Sequence, residues 1–154
     1  MWALKGVVAN PNWLPLKPDE VLYDFDGPRI FTVGDGRGGQ FLAYQCGEDR
    51  GVRRFLVVRA DLAVASALTL GWCDVWSVLN QPRGWIYDVS PEPEPIKCWD
   101  VAIADIPRAV LPQQGVMVYP ELPSRVTQST AAPATASMNL PPPRSKGAEA
   151  SRLY

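Results

Sequence analysis

The sequence predicts an α+β fold: a curved antiparallel meander of about five to seven strands, with two short helices packed on one face. Three observations predict it. Apolar residues make up 47% of the chain and charged residues 20%, a globular composition. Sixteen prolines and 12 glycines cut the 154 residues into runs too short for long helices. From Glu20 onward, β-type runs follow one another across tight turns, and the helical residues fall between the fourth and fifth runs.

Residues 1–18 carry Pro11, Pro15 and Pro18 with Trp2, Trp13 and Leu14, and read as an extended N-terminal arm lying against the core. In the first strand Val21, Tyr23 and Phe25 alternate with Leu22, Asp24 and Asp26; the first set is expected to face the core and the second to face outward. Asp26-Gly27-Pro28 turns the chain into a strand at 29–33. The glycine loop 34–39 closes a hairpin with a strand at 40–46, and 47–51 turns into a strand at 53–59. Consecutive strands with short turns imply antiparallel neighbours.

Asp61 suits a helix N-cap, the segment 62–70 the helix, and Gly71 its C′ position. A second helix is expected over 74–80, stopping before Pro82. Strands are then expected at 84–89, 96–103 and 115–119, with the acidic proline run 91–95 as a stiff connector. The domain is assigned to 19–122. Beyond it, 123–154 is rich in Pro, Ser, Thr and Ala and poor in large apolar side chains, so it is expected to be a disordered tail. Within it, Leu140-Pro-Pro-Pro-Arg144 has the composition of a polyproline ligand.

The net charge is −1, with the tail at +3 and residues 1–122 at −4. Such a body has no field to hold a polyanion, which argues against nucleic acid. Histidine is absent, removing the commonest zinc ligand and every Ser-His or Cys-His mechanism. Cys46, Cys73 and Cys98 are odd in number and widely spaced, the pattern of buried free thiols in a reducing compartment. No run approaches the ~20 apolar residues of a membrane span, so the chain is expected in the cytoplasm, with no cofactor and no metal site.

Gly34-Asp-Gly-Arg-Gly-Gly39 satisfies G-x-G-x-x-G, but a strand pattern follows it where a dinucleotide fingerprint needs a helix. Arg53 and Arg59 share a face with Phe55 and Val57 while Arg54 lies opposite, a mixture expected of an edge strand guarded by charge. Trp72 and Trp76, four apart, are placed on one face of the second helix. The six tryptophans chiefly imply an aromatic core. Trp2, Trp13, Trp72, Arg53 and Arg54 are the candidate partner-binding residues, because interface anchors concentrate in Trp and Arg.

Val21-Leu-Tyr-Asp-Phe-Asp-Gly27 resembles the first motif of the haloacid-dehalogenase-type phosphatases. That resemblance implies a nucleophile at Asp24, an acid/base at Asp26, a phosphate contact at Lys97 and a late acidic pair at Asp100 and Asp105. The order of features over residues 19–119 is similar to a small bacterial domain family of uncharacterised function: the Tyr-Asp-Phe-Asp-Gly-Pro-Arg-Ile-Phe opening, a glycine loop, an aromatic-Leu-Ala strand, an Arg-Phe-Leu-Val-Val strand, a Leu…Leu…Gly helix end, Trp-Ile-Tyr, and Leu-Pro-x-x-Gly. This second resemblance implies an auxiliary, protein-binding role. The leading expectation is therefore a non-enzymatic bacterial adaptor or accessory subunit whose partner is another protein, encoded nearby. The alternatives are a metal-dependent phosphoryl-transfer enzyme using Asp24 and Asp26, or a small-ligand or nucleotide sensor with the Gly34–Gly39 loop at its site.

Overall fold

The structure, a computed structural model describing residues 1–118, contains seven strands: β1 (Val7–Ala9), β2 (Glu20–Asp24), β3 (Pro28–Gly34), β4 (Gln40–Asp49), β5 (Val52–Arg59), β6 (Arg83–Val89) and β7 (Pro95–Ala102). All pairings are antiparallel, in the order β1-β7-β6-β5-β4-β3-β2. Strands β2 to β7 form the expected meander, each beside its neighbour in sequence. Helices α1 (Leu62–Thr69) and α2 (Val75–Leu79) lie between β5 and β6. No helix among the described residues is long and apolar enough to cross a membrane.

The seventh strand is not the expected one. Residues 115–118 form no strand, and Tyr119 lies outside the described residues. The outer edge of β7 is already taken by β1, with Val8 opposite Trp99. Instead, the Val116 carbonyl accepts the Val75 N–H at 2.9 Å, and Val118 is buried in the core beneath the helices. The expected tail at 123–154, with Leu140–Arg144, also falls outside the described residues.

The arm placed outside the domain proves to be part of it. Strand β1 sits at one edge of the sheet and β2 at the other, six strand spacings apart, or about 29 Å. The chain covers this in the steps from Ala9 to Glu20, which reach about 36 Å when fully extended. A single 3₁₀ turn, Pro11–Trp13, uses part of that reach. The segment is thus a nearly taut strap across one face, and Pro11, Pro15 and Pro18 suit it because proline favours extended backbone and brings no N–H needing a partner. Leu14 is its anchor, fully buried among Phe31, Phe41, Phe55, Val57 and Tyr87.

The opposite face carries the helices. Leu68, Val75, Val78 and Leu79 pack there against Leu42, Leu56, Val58 and Ile86. Helix α1 begins where the Asp61 carboxylate accepts the Val64 N–H at 2.9 Å, and ends at Gly71, whose φ of +76° suits the C′ residue. Asp74 caps α2 by accepting from Ser77 N, and also accepts from Gly115 N at 2.7 Å, so it ties the short helix to the distant turn. The Gly115 and Ser77 N–H groups hold the Asp74 carboxyl below its ordinary range. A depressed folded pKa contributes stability that is complete above the unfolded value and lost as pH falls through the folded one. Asp74→Asn should therefore flatten the decline of Tm below about pH 3.8, and lower Tm at neutral pH; parallel acid profiles for the two proteins would refute the tie.

Candidate functional site

A concavity lies on the strap face, at the end of the sheet beyond Leu14. It is a groove of about 480 Å³. Phe31 of β3, Phe55 of β5 and Val89 of β6 form its floor, side by side because the pleat puts alternate residues of neighbouring strands on one face. Leu16 and Pro18 of the strap wall one side, and Pro91 and Pro93 of the β6–β7 connector another. Phe31 and Phe55 meet edge to face at 5.4 Å, a favoured aromatic pairing that closes the floor.

Charge enters the groove from Arg53 and Glu48, which are register partners on β5 and β4. The Arg53 guanidinium donates to the Asp26 carbonyl and has no carboxylate within 4 Å among the described residues. Gly27 makes this position possible. Its φ is +107°, and a Cβ there would overlap the guanidinium. Glu48 faces Arg29 at 3.9 Å, and Arg29 in turn lies over the Phe25 ring at 5.2 Å.

Strand β2 borders the same face. The expected alternation is inverted there: Leu22 is buried, whereas Val21, Tyr23 and Phe25 are exposed, Phe25 by 62%. The cause is tertiary. Leu22 reaches the helix-side core beside Ile30 and Leu42, and the strap covers the centre of the other face without shielding its rim. Two register irregularities against β3 also break the alternation: Val21 stands opposite Phe31 of the strap-side core, whereas Tyr23 stands opposite Ile30 of the helix-side core. The result is an outer edge, unpaired among the described residues, that shows Val21 and Tyr23, with Phe25 exposed just past its end and Glu20, Asp24 and Asp26 around them.

The residues singled out from the sequence scatter. Arg54, only 7% exposed, donates twice to Asp88, at 2.7 and 2.9 Å, and once to the Trp2 carbonyl at 2.8 Å. Its guanidinium lies between the rings of Trp2 and Trp99, at 4.7 and 5.6 Å. Trp2 Nε1 donates to the Cys46 carbonyl. These two candidates thus form an internal clasp that holds the N-terminus on the helix side of the sheet. Trp13 joins Phe41, Trp85 and Tyr87 in an aromatic cluster beside Leu14, with Arg59 over Phe41 and Trp85. Trp72 is 77% exposed but sits in the turn before α2, so it shares no helix face with Trp76, which lies under Arg108. Arg53 alone of the five lines the groove. The arginine-bearing strand is β5, the centre of the sheet and not its edge: Arg54 is buried only because Asp88 neutralises it, and Arg59 lies over aromatic rings.

The aspartate pair gains no supporting geometry. β2 ends at Asp24, and Asp26 stands in the turn with φ +58°, so strand alternation does not bring the two carboxylates together. Lys97 and Asp100 lie on β7, five spacings from β2, about 24 Å away. Asp100 is paired with Arg83 at 2.6 Å. In the glycine loop, Asp35 already accepts the Arg37 and Gly39 N–H groups at 2.7 and 2.9 Å, which lowers its pKa and occupies the amides a phosphate would need. Cys46 and Cys98 are buried, and burial pushes the Cys46 thiol up to about 12, away from nucleophilic use. The Tyr87 hydroxyl is raised as well, through desolvation in the aromatic cluster.

The signal for this site was present only in fragments. Arg53 and the Asp26-Gly27 turn could be read from sequence, but the floor joins three strands and the walls come from residues 16–18 and 91–93. No family model, no curated protein and no solved structure matches this chain.

Proposed function

We propose that the chain is a bacterial protein-binding module, an accessory subunit or adaptor, that engages a partner protein along the outer edge of β2. The single observation that carries this is the exposure of Val21 and Tyr23 on a strand edge unpaired among the described residues, with Phe25 exposed just beyond it and Glu20, Asp24 and Asp26 around them. An open edge offers backbone hydrogen bonds to an added strand, and the alternating side chains supply its specificity. Apolar residues set among carboxylates, on a body of acidic balance, suit a partner segment that is extended, apolar and basic. Trp72, exposed on the helix side, is left for a second contact. The resemblance to accessory domains of bacteria points the same way, to a cytoplasmic complex.

The test is photo-crosslinking in the native host with a crosslinking amino acid at position 23, and a control at position 97 on β7. One protein should be captured from position 23 and not from 97, and Tyr23→Asp with Phe25→Asp should abolish its co-purification. Because both side chains are exposed, these changes should alter stability by no more than about 0.5 kcal/mol each. Capture that is equal at both positions, or that survives the double substitution, would dismiss this reading. A second reading, a small-ligand sensor, is favoured by the groove, whose lining does not include the Gly34–Gly39 loop where the sequence placed the sensor's site.

A further inference from the structure

We propose that the strap-face groove binds a small amphiphilic carboxylate, its apolar body on Phe55 and Val89 and its carboxylate on Arg53. This does not rest on the β2-edge reading, since the residues it needs are different ones. The volume, about 480 Å³, falls in the range of small-molecule sites, which are mostly apolar with a few placed polar groups. Pro18 and Pro91 restrict the backbone on both sides, which reduces the ordering entropy lost on binding.

The choice of head group follows from charge. Arg53 donates to one backbone carbonyl, which leaves N–H groups of its planar fork for a second, bidentate acceptor. Its place is set by Gly27, where any side chain would displace it. Glu48 is the carboxylate lining the groove, and Arg29 faces it, so the three side chains together carry one positive charge. One positive charge matches a carboxylate. A phosphate dianion would leave an uncompensated charge beside Glu48, on a body whose residues 1–118 hold 11 basic against 14 acidic side chains.

The test uses the full chain and two probes, octanoate and 3-phenylpropionate, each compared with its alcohol, octanol or 3-phenylpropanol. Calorimetric titration should show saturable one-site binding of the carboxylates, and at least tenfold weaker binding of the alcohols. Arg53→Met should remove that difference by weakening the carboxylates to the level of the alcohols, and should lower the unliganded Tm modestly, because the hydrogen bond to the Asp26 carbonyl is lost with it. The Val89 methyl resonances should shift on titration with the carboxylates, whereas those of Val75, on the helix side, should not. If Arg53→Met fails to fold, Arg53→Lys serves instead, and should weaken the carboxylates several-fold by losing the bidentate geometry. Absence of saturable binding, equal affinity for acid and alcohol, or shifts confined to Val75 would each overturn the proposal.

Discussion

Asp88→Ala is expected to destabilise the protein by about 3–5 kcal/mol, the cost of leaving a buried charge without its partner. Asp88 and Arg54 are each 7% exposed and are joined by two parallel hydrogen bonds. Removing the carboxylate leaves a guanidinium on the helix side of the sheet with only the Trp2 carbonyl and two indole faces. For a domain of this size the Tm should fall by roughly 15–25 °C. Urea titration followed by tryptophan fluorescence would measure it, with Trp2 reporting release of the N-terminus. The double substitution Arg54→Leu, Asp88→Leu should recover most of the loss, because a buried ion pair and an apolar pair of similar volume differ little in net free energy. A loss below about 1 kcal/mol in Asp88→Ala would show that water reaches the site and that the clasp is weak.

Leu14→Ala should cost about 3 kcal/mol, in the range of fully buried leucine truncations. The reasoning is specific to the strap. Leu14 has no exposed surface and fills the middle of an aromatic face, and the taut segments on either side leave little freedom to collapse into the vacated volume. Leu16, half-buried at the groove wall, should cost less than half as much on the same truncation. Chemical denaturation of both variants decides the matter. Equal costs would mean that the strap is held along its whole length and not chiefly at Leu14.

Several elements were legible because their causes are local. Asp61 and Gly71 bracket α1, and Asp74 opens α2, since capping depends on residues within one turn. The glycine loop and the Asp26-Gly27 turn reverse the chain where expected, because positive φ favours glycine and tolerates aspartate. What misled lay between elements. Alternation at β2 cannot say which residues are covered, and the register shifts against β3 break it, so that Leu22 is buried while Val21, Tyr23 and Phe25 stay exposed. The arginines on β5 imitate an edge strand, because the carboxylate that admits Arg54 to the interior is 34 residues away. The candidate groove was illegible for the same reason, since its surfaces come from both ends of the domain.

By itself the sequence determined most of where the chain extends, coils and turns between Glu20 and Ala102, and that histidine chemistry is absent; these follow from propensities, caps and composition, all properties of near neighbours. Only the tertiary structure decided that the arm is a strap, that β5 is central, that Arg54 is internal, and that Arg53 stands over an apolar groove. Those facts depend on which distant surfaces meet, and the free energy of burial is set by that meeting and not by the residue alone.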